Sequence, residues 1–495
     1  MKRIIIIGGG ISGLSAGIYA LKYGYSPLIL EKNPVAGGLC TNWVRKGMNI
    51  EGCIHWLTGT NKNTRIYQHC WTDLHAFKDE ELIYLPTWGS YHYEGTTVHF
   101  YRDLDKTEAE WNKIAPEDKK MIHRFIKLVR KIERVDLPLD APALLLPFKV
   151  KMKFFMQLVK TFPYYLGSMV MNKYRFAKKF KNPALRWALM HAQPGAGNLY
   201  SMAFSYSTIT TNNGAVPRGG SKTFINNMLN YYLSQGGEIK YNAEVKELIV
   251  NKKEKKMTGA KLKSGEVVKG DHFISCCDAN YVLINLLKQE YVKKKLAERF
   301  NEPLKHPSPS CVLINYRIPA NVDINIPYNF KVDNFKLGTK EIDHINFRVF
   351  NYDPTFVNGE YTVGQVLLDQ DSNDYDYWLE LRKDDEKYQA FKQEIADLVK
   401  KLIEKELPIL KGKMELLDVA TPMTFTRYTN ASRGSYMAFL FNPDKGTIVT
   451  RGYLKGINNF MLSGQYVQSP GGIPLAMASG KFSIQWLAKK DGKKL

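Results

Sequence analysis

The chain has 495 residues, 44% of them hydrophobic and 12% aromatic, which is ample for two lobes that each bury a core. Its formal net charge of +22 favours contact with an anionic surface, and the alternative is a basic protein with a solvated surface. Six cysteines without a C-x-x-C pair argue against a metal cluster and indicate reduced thiols in a cytoplasmic setting.

The N-terminal segment predicts a strand, a glycine turn, a helix and a second strand. Residues 3–7 are an apolar, β-branched run typical of a buried parallel strand, and this run is too short for the apolar core of a signal peptide. Residues 12–23 predict a helix, and residues 27–30 predict a second strand that ends at Glu31. This order is typical of a dinucleotide-binding unit.

The turn carries the pattern Gly8-x-Gly10-x-x-Gly13. In such a turn the first glycine bends the chain, the second lets the backbone approach a pyrophosphate, and the third lets the helix pack on the strand. The helix N-terminus then offers free N–H groups to the phosphates. Glu31 follows Gly13 by 18 residues, where a carboxylate accepts the ribose hydroxyls and argues against NADP.

Later segments predict a second group of elements. Helices are predicted at residues 117–135, 221–234, 385–407 and 473–488, and buried strands at residues 238–241, 245–251, 271–276 and 460–463. Short buried strands beside glycine turns recur near both ends and in the middle. The sequence therefore predicts an α/β fold with a discontinuous Rossmann-type domain (residues 1–75, 215–282 and 453–495) and an inserted α+β substrate domain (residues 76–214 and 283–452).

Residues 141–181 differ from the rest of the chain, because they hold nine basic residues and no acid among bulky apolar side chains. This composition predicts a helix or helical hairpin that lies in a membrane interface. The alternative is a helical lid over an apolar pocket with its lysines directed outward, and the two are compatible. We predict peripheral membrane association, and binding of nucleic acid is disfavoured because no recognition motif accompanies the basic residues.

Three further blocks define a resemblance. Gly37-Gly38 follows Glu31 after a short spacer, Pro217-Arg218-Gly219-Gly220-Ser221 precedes a helix and a strand that begins at Val245, and Ser469-Pro470-Gly471-Gly472-Ile473 lies near the last predicted helix. With these blocks in this order, the sequence resembles the phytoene desaturase, carotenoid isomerase and retinol saturase group of the amine-oxidase-like FAD superfamily. It departs from the superfamily at Leu39, where arginine is frequent, and at Glu51-Gly52, where many relatives have Asp-x-Gly.

The resemblance implies noncovalent FAD in the Rossmann-type domain, with the N-terminus of the last helix stabilising negative charge on the flavin. It also implies desaturation, saturation or cis–trans isomerisation of C=C bonds in a long apolar polyene, carotenoid- or retinoid-like. The residues expected to contact the cofactor are Gly8, Gly10, Ile11, Ser12, Gly13, Glu31, Lys32, Gly37, Gly38, Leu39, Trp56, Val245, Gly464, Gly471, Gly472 and Ile473.

Two side chains follow the cofactor loop and are the candidate acid–base groups. They are His55 and Glu51, and the alternative for His55 is a packing or hydrogen-bonding role. Weaker candidates are His191, Tyr206, Arg427 and Tyr428. The histidines are scattered, with no H-x-x-x-H pair, so no metal ligand is predicted.

Two other functions remain open from the sequence. One is an amine-oxidase-like flavoenzyme acting on a small amine. The other is a non-catalytic flavin-bearing protein that docks on membranes through its basic face. A hydrolase is disfavoured, because Ser15 of the pattern Gly13-Leu14-Ser15-Ala16-Gly17 falls inside a predicted helix and not on a sharp turn.

Overall fold

A computed structural model describes residues 1–78, 81–193, 197–292, 294–324, 327–440 and 449–494. Residues 194–196 and 441–448 of the predicted substrate domain therefore lie outside the described residues. The α-helices of the described residues are α1 (Ile11–Lys22), α2 (Leu104–Ile114), α3 (Lys119–Ile132), α4 (Phe148–Val170), α5 (Lys173–Ala177), α6 (Pro183–His191), α7 (Leu199–Thr210), α8 (Gly220–Ser234), α9 (Ala279–Tyr281), α10 (Lys294–Asn301), α11 (Tyr375–Leu381), α12 (Asp385–Glu406), α13 (Pro422–Thr429) and α14 (Ile473–Lys490).

The strands of the described residues are β1 (Arg3–Ile7), β2 (Ser26–Leu30), β3 (Asn42–Arg45), β4 (Met48–Glu51), β5 (Leu57–Thr58), β6 (Leu82–Ile83), β7 (Thr87–Tyr93), β8 (Thr96–Tyr101), β9 (Gly214–Pro217), β10 (Glu238–Lys240), β11 (Val245–Asn251), β12 (Lys256–Leu262), β13 (Val267–Val268), β14 (His272–Ser275), β15 (Pro309–Pro319), β16 (Tyr328–Leu337), β17 (Lys340–Val349), β18 (Val357–Asn358), β19 (Tyr361–Asp371), β20 (Glu415–Ala420) and β21 (Phe460–Leu462).

A five-stranded parallel sheet forms the first layer, in the order β10-β2-β1-β14-β21. Four consecutive isoleucines of β1 are buried, because Ile4 and Ile6 pack with residues of α1 and α14 and Ile5 and Ile7 pack with residues of β11, β12 and β13 on the other face. The strands come from three distant parts of the chain. The prediction of a discontinuous Rossmann-type α/β core is thus confirmed, while the exact domain boundaries stay predictions.

Helices α1 and α14 pack closely against each other beside this sheet. A Cβ at Gly480 would lie 2.2 Å from the carbonyl oxygen of Ser12, so only glycine permits this approach. The hydroxyl of Ser463, which follows β21, hydrogen-bonds the hydroxyls of Ser12 at 2.8 Å and Ser479 at 2.9 Å. The two ends of the chain are therefore joined at the carboxyl edge of the sheet.

The second lobe is built on a mainly antiparallel sheet in the order β20-β15-β19-β17-β16-β7-β8, with β18 paired to β19. Helix α12, which was predicted at residues 385–407, covers one face through Tyr388, Ile395 and Val399, which are buried at helical spacing. Helices α2, α3, α6 and α7 enclose a separate aromatic core with β7 and β8. This sheet contacts the two-stranded sheet of β3 and β4, because Gln365 of β19 donates to the carbonyl oxygen of Glu51, the last residue of β4, at 2.7 Å.

The basic segment 141–181 folds mostly as α4 and α5. Within the described part of the chain, no helix has both the length and the apolar character that crossing a bilayer requires. Helix α4 packs on α3 and α7 and exposes much of its apolar surface.

Candidate active site

The glycine turn leaves the first N–H groups of α1 without partners in their own helix. Gly8 has φ +98°, and a Cβ at Gly13 would lie 1.9 Å from the carbonyl oxygen of Gly8. Helix α1 begins after Gly10, and no side chain caps it. Free N–H groups at an uncapped helix N-terminus are a site for phosphate.

Glu31 lies beside this turn. Its Oε2 accepts a hydrogen bond from the backbone nitrogen of Gly9 at 2.7 Å, and its Oε1 accepts from the backbone nitrogen of Asn33 at 2.9 Å. The side chain is buried, and Oε1 also accepts from Nδ2 of Asn33 at 2.9 Å, whereas Oε2 accepts one hydrogen bond from the described residues and retains a lone pair that could accept from a ribose hydroxyl. Lys32 points to the second lobe, since its Nζ donates to the carbonyl oxygen of Arg427 at 3.1 Å and to Oδ1 of Asn430 at 2.9 Å.

The loop that carries Gly37 and Gly38 contacts the glycine turn directly. Gly37 and Gly38 have φ values of +126° and +61°, in the left-handed region that favours glycine. The backbone nitrogen of Gly37 donates to the carbonyl oxygen of Gly9 at 2.9 Å, and a Cβ at Gly38 would lie 3.5 Å from Cα of Gly10. Leu39, where relatives often have arginine, packs instead against an apolar cluster of the second lobe.

Two other predicted contacts lie around the same edge of the sheet. Val245 is buried at the start of β11, next to a segment where the backbone nitrogen of Ala243 donates to the carbonyl oxygen of Glu31 at 2.8 Å. Gly464 has φ +102°, and its backbone nitrogen donates to the hydroxyl of Ser479 at 2.8 Å.

The last helix begins in the same way as the first. Gly471 and Gly472 have φ values of +88° and +86°, and α14 starts at Ile473 with no capping side chain. The site therefore has two uncapped helix N-termini, each preceded by a glycine loop, and a buried acid at the predicted ribose position. The helix N-termini can donate to phosphate and the acid can accept from ribose hydroxyls, which suits FAD. The residues present therefore fit this cofactor.

Glu51 is buried, and the main chain surrounds its carboxylate. Its Oε1 accepts from the backbone nitrogens of Cys53 at 2.7 Å and Ile54 at 2.9 Å, and its Oε2 accepts from the backbone nitrogen of Ser221 at 2.8 Å. The Ser221 hydroxyl also donates to Oε1. Burial raises the pKa of Glu51 although these hydrogen bonds oppose the shift. Such contacts suit a side chain that fixes the loop of residues 52–55 against α8.

His55 and Trp56 line an adjacent cavity of about 70 Å³. The other lining residues are Ile83, Leu85, Thr87, Trp88, Tyr91, Gln193, Ile209, Gly214, Ala215, Val216, Pro327, Asn329, Asn346, Arg348 and Leu367. The Trp56 ring meets the Trp88 ring edge to face, with centroids 6.1 Å apart. Most of this lining is apolar or aromatic, and none of it comes from residues 141–181.

One cation faces this cavity. Arg348 is buried, and its Nη1 makes no hydrogen bond to any described residue. Burial lowers the pKa of His55 well below its usual value, and the positive charge of Arg348 lowers it further. The cavity therefore combines a neutral imidazole with a guanidinium N–H that still lacks an acceptor, which suits an electron-rich group placed between them.

The weaker candidates lie elsewhere. Tyr206 is buried in the aromatic core and donates to the carbonyl oxygen of Tyr101 at 2.6 Å. Arg427 lies over the ring of the exposed Tyr428 at 5.1 Å. The buried Ser15 donates to the carbonyl oxygen of Met477 at 2.8 Å, inside α1 as predicted.

Sequence patterns did not reveal the second-lobe residues of the cavity. Asn346, Arg348 and Leu367 lie on β17 and β19, which the residue pattern did not delineate as strands. Asn346 and Arg348 are two residues apart, so they lie on one face of β17. If the sequence had predicted this strand, the spacing would have indicated that both side chains face the same way. Arginine inside a buried strand is also unusual enough to have marked the position.

A parallel sheet, two uncapped helix N-termini at its carboxyl edge and a buried ribose-position acid define the class of FAD-dependent, Rossmann-type oxidoreductases. Residues 11–483 match the family model described as flavin containing amine oxidoreductase. The chain belongs to that family, and FAD is its cofactor.

Curated relatives match 87–99% of the chain at low identity. The 4,4'-diaponeurosporene oxygenase of Staphylococcus aureus strain MW2 is 22% identical, with 99% of each chain covered. The chloroplastic prolycopene isomerase of Daucus carota is 24% identical, with 87% of this chain and 71% of the relative covered. A solved oxidoreductase from Methanosarcina mazei shares the fold with a TM-score of 0.58 at 13% identity, covering 99% of this chain and 100% of that one.

Proposed function

We propose that this enzyme acts on C=C bonds of a long polyene lipid, by desaturation, saturation or isomerisation. The observation that carries the proposal is the aromatic, apolar cavity beside the cofactor-loop residues His55 and Trp56. It is supported by similarity over 99% and 87% of the chain to enzymes named for diaponeurosporene and prolycopene.

The lining residues suggest separate roles. Trp88, Tyr91 and Leu367 would pack against an apolar chain and exclude water. FAD supplies hydride transfer when bound. His55, neutral because of its lowered pKa, would accept a proton through a ring nitrogen, and Arg348 would donate from Nη1 to developing negative charge. Glu51 would act as a positioning residue for the loop that carries His55.

The size of the cavity adds a requirement. Its volume of about 70 Å³ is well below the roughly 300 Å³ at the small end of ligand pockets. A polyene would therefore enter only if side chains around the cavity move.

Helix α4 is the proposed contact with a membrane. Large apolar side chains point to solvent along one side of this helix, while Thr161 and Ser168 are buried on the other, which is the reverse of an ordinary surface helix. The exposed apolar residues are Phe148, Met152, Phe155, Met156, Val159, Phe162, Leu166 and Val170. Exposed lysines 149, 151, 153 and 160 flank them, so an anionic lipid surface matches both the apolar face and the charge.

The catalytic proposal can be tested with purified holoenzyme. We expect prolycopene or 4,4'-diaponeurosporene in liposomes to be converted to a product with a shifted absorption spectrum, and small amines to yield no peroxide. His55→Asn should keep bound flavin and lower turnover at least about tenfold, the usual range for a lost acid–base group. His123→Asn, on the surface, is the matched control. Peroxide formation with amines and no change in either polyene would overturn the proposal.

Membrane docking has its own test. Flotation with vesicles of phosphatidylglycerol and phosphatidylcholine should carry the wild type, and the double variant Phe155→Glu/Val159→Glu should stay unbound. Ile409→Glu replaces an equally exposed apolar residue away from α4 and should float normally. Equal flotation of all three proteins would contradict the assignment to α4.

A further inference from the structure

Three side chains that could bind a metal ion lie close together: His191, Asp343 and His344. The Nε2 of His191, at the end of α6, lies 3.1 Å from Oδ1 of Asp343. The Nδ1 of His344 lies 3.1 Å from the same oxygen. Each residue offers a ligand atom within 4.8 Å of the others, and no local motif joins the three, because His191 lies 152 residues before Asp343.

The hydrogen bond on the other side of His191 defines its tautomer. Its Nδ1 lies 2.8 Å from the carbonyl oxygen of Trp187, and a carbonyl oxygen only accepts. Nδ1 must therefore carry the hydrogen, and in the neutral ring Nε2 presents a lone pair to the carboxylate of Asp343. Two acceptors at 3.1 Å need a cation between or beside them.

The backbone around Asp343 is irregular. Lys331 pairs with His344 and Phe335 pairs with Ile342, so three residues of β16 oppose Asp343 alone. Bulges of this kind redirect side chains and occur next to functional sites. Here the irregularity accompanies two neighbouring strand residues, Asp343 and His344, whose side chains meet although strand neighbours normally diverge.

We propose that His191, Asp343 and His344 bind one divalent transition-metal ion of the zinc class. Ligands about 2.0–2.2 Å from a tetrahedral zinc lie roughly 3.3–3.6 Å apart, which small rotations of these side chains provide. A ring whose other nitrogen donates to a backbone carbonyl is the usual support for a metal-ligating histidine. The Asp343 side chain is 45% exposed, which gives the ion a path from solvent.

A proton is the competing cation. Half-buried Asp369 of β19 lies near both histidines, and Lys340 and Lys173 are its further positive neighbours. A metal ion needs no protonated ring and is held by both imidazoles at once.

The site would join two walls of the cavity. Gln193 follows His191 by two residues and Asn346 follows His344 by two, and both line the cavity. A bound ion would fix the end of α6 against β17, so it would stiffen this wall and raise the thermal stability of the protein.

The test uses untagged holoenzyme stripped with a chelator, titrated with Zn²⁺ by calorimetry and by competition with a chromophoric chelator. We expect about one bound equivalent, a raised melting temperature, and at least about tenfold weaker binding in His191→Gln, Asp343→Asn and His344→Gln, the range seen when a metal site is disturbed. His123→Gln is the matched control, because His123 also lies 3.0 Å from a carboxylate oxygen, that of Glu108, but without a third ligand.

Equal zinc affinity in the wild type and His191→Gln/His344→Gln would overturn the proposal. So would a wild type that takes up no Zn²⁺ and instead gains stability only on acidification, which would identify the cation as a proton. Flavin absorbance and circular dichroism of each variant report folding, so a variant that fails to fold is replaced by the milder His344→Gln.

Discussion

The carboxylate of Glu31 accepts a hydrogen bond from the backbone nitrogen of Gly9 at 2.7 Å, so the acid that ends β2 is fixed against the turn that follows β1. The predicted ribose acceptor and the helix N-terminus predicted to bind phosphate are thereby held next to each other. A rigid arrangement of this kind binds its ligand without first having to order a loop.

Glu31→Gln should weaken FAD binding. The amide keeps the shape of the side chain but loses the charge that strengthens hydrogen bonds from the ribose, and such charged bonds contribute about 1.5–3 kcal/mol. We expect at least about a tenfold rise in the dissociation constant, measured by flavin fluorescence during reconstitution. The exposed Glu266→Gln is the control, and an unchanged affinity in Glu31→Gln would exclude Glu31 from the cofactor site.

Gly480→Ala should separate α14 from α1. The added Cβ would lie 2.2 Å from the carbonyl oxygen of Ser12, in contact with backbone that cannot move freely. We expect a loss of about 1–3 kcal/mol of unfolding free energy and reduced flavin content, measured by denaturant titration and absorbance. Gly167→Ala, in α4 with no atom within 4 Å, should be neutral or slightly stabilising.

Arg348→Gln should shift the pH dependence of turnover. Arg348 disfavours the charged form of His55, so removing the guanidinium raises the pKa of His55, although burial still holds that pKa below its usual value. We expect the acid limb of the pH–rate profile to move to higher pH by up to about one unit. Arg427→Gln, outside the cavity, should leave the profile in place, and an identical profile for all three proteins would exclude the coupling.

Lys173 should make stability depend on alkaline pH. Its ammonium is buried and donates to the carbonyl oxygens of Ala192 at 3.0 Å and Gln193 at 2.9 Å, and burial lowers its pKa to about 8. Below about pH 8 the native state holds a buried charge that lowers its free energy of unfolding. Lysine in the unfolded chain has a pKa of about 10.4, so as the pH rises from about 8 toward about 10.4 the native state loses this proton first and the free energy of unfolding increases.

The wild type should therefore gain about 2 kcal/mol relative to Lys173→Met between about pH 7.5 and about pH 9.5, by urea unfolding. The quantity to compare is the slope of the unfolding free energy against pH, because the substitution also removes two hydrogen bonds and lowers stability at every pH. The exposed Lys178→Met should follow the wild type. Parallel curves for Lys173→Met and wild type would refute the assignment.

The cofactor-binding half of the fold was accessible from sequence because its signals are local. The strand, turn, helix and acid of residues 3–31 lie in one short stretch, and β1, α1 and β2 begin and end within a residue of their predicted bounds. Glycine patterns also located the turn before α14. At these positions the chemistry requires a backbone that only glycine adopts readily.

The catalytic side depends on contacts between distant residues. Glu51 looks like an acid–base candidate in sequence, but Ser221, 170 residues later, occupies its carboxylate. Likewise, Arg348 of β17 comes close to His55 only when the second lobe packs against the loop that carries His55. Patterns in one sequence report periodicity and turns, and they carry no information on which residues of two lobes will meet.

The parallel sheet also constrains how the protein matures. β21 is the edge strand beside β14, and it leaves the ribosome only after the whole second lobe has been synthesised. Until then β14 presents an unpaired edge and the binding site lacks α14, so the nascent chain can neither seal its sheet nor hold flavin fully. We therefore expect flavin to be bound late in biogenesis, after β21 and α14 have been synthesised.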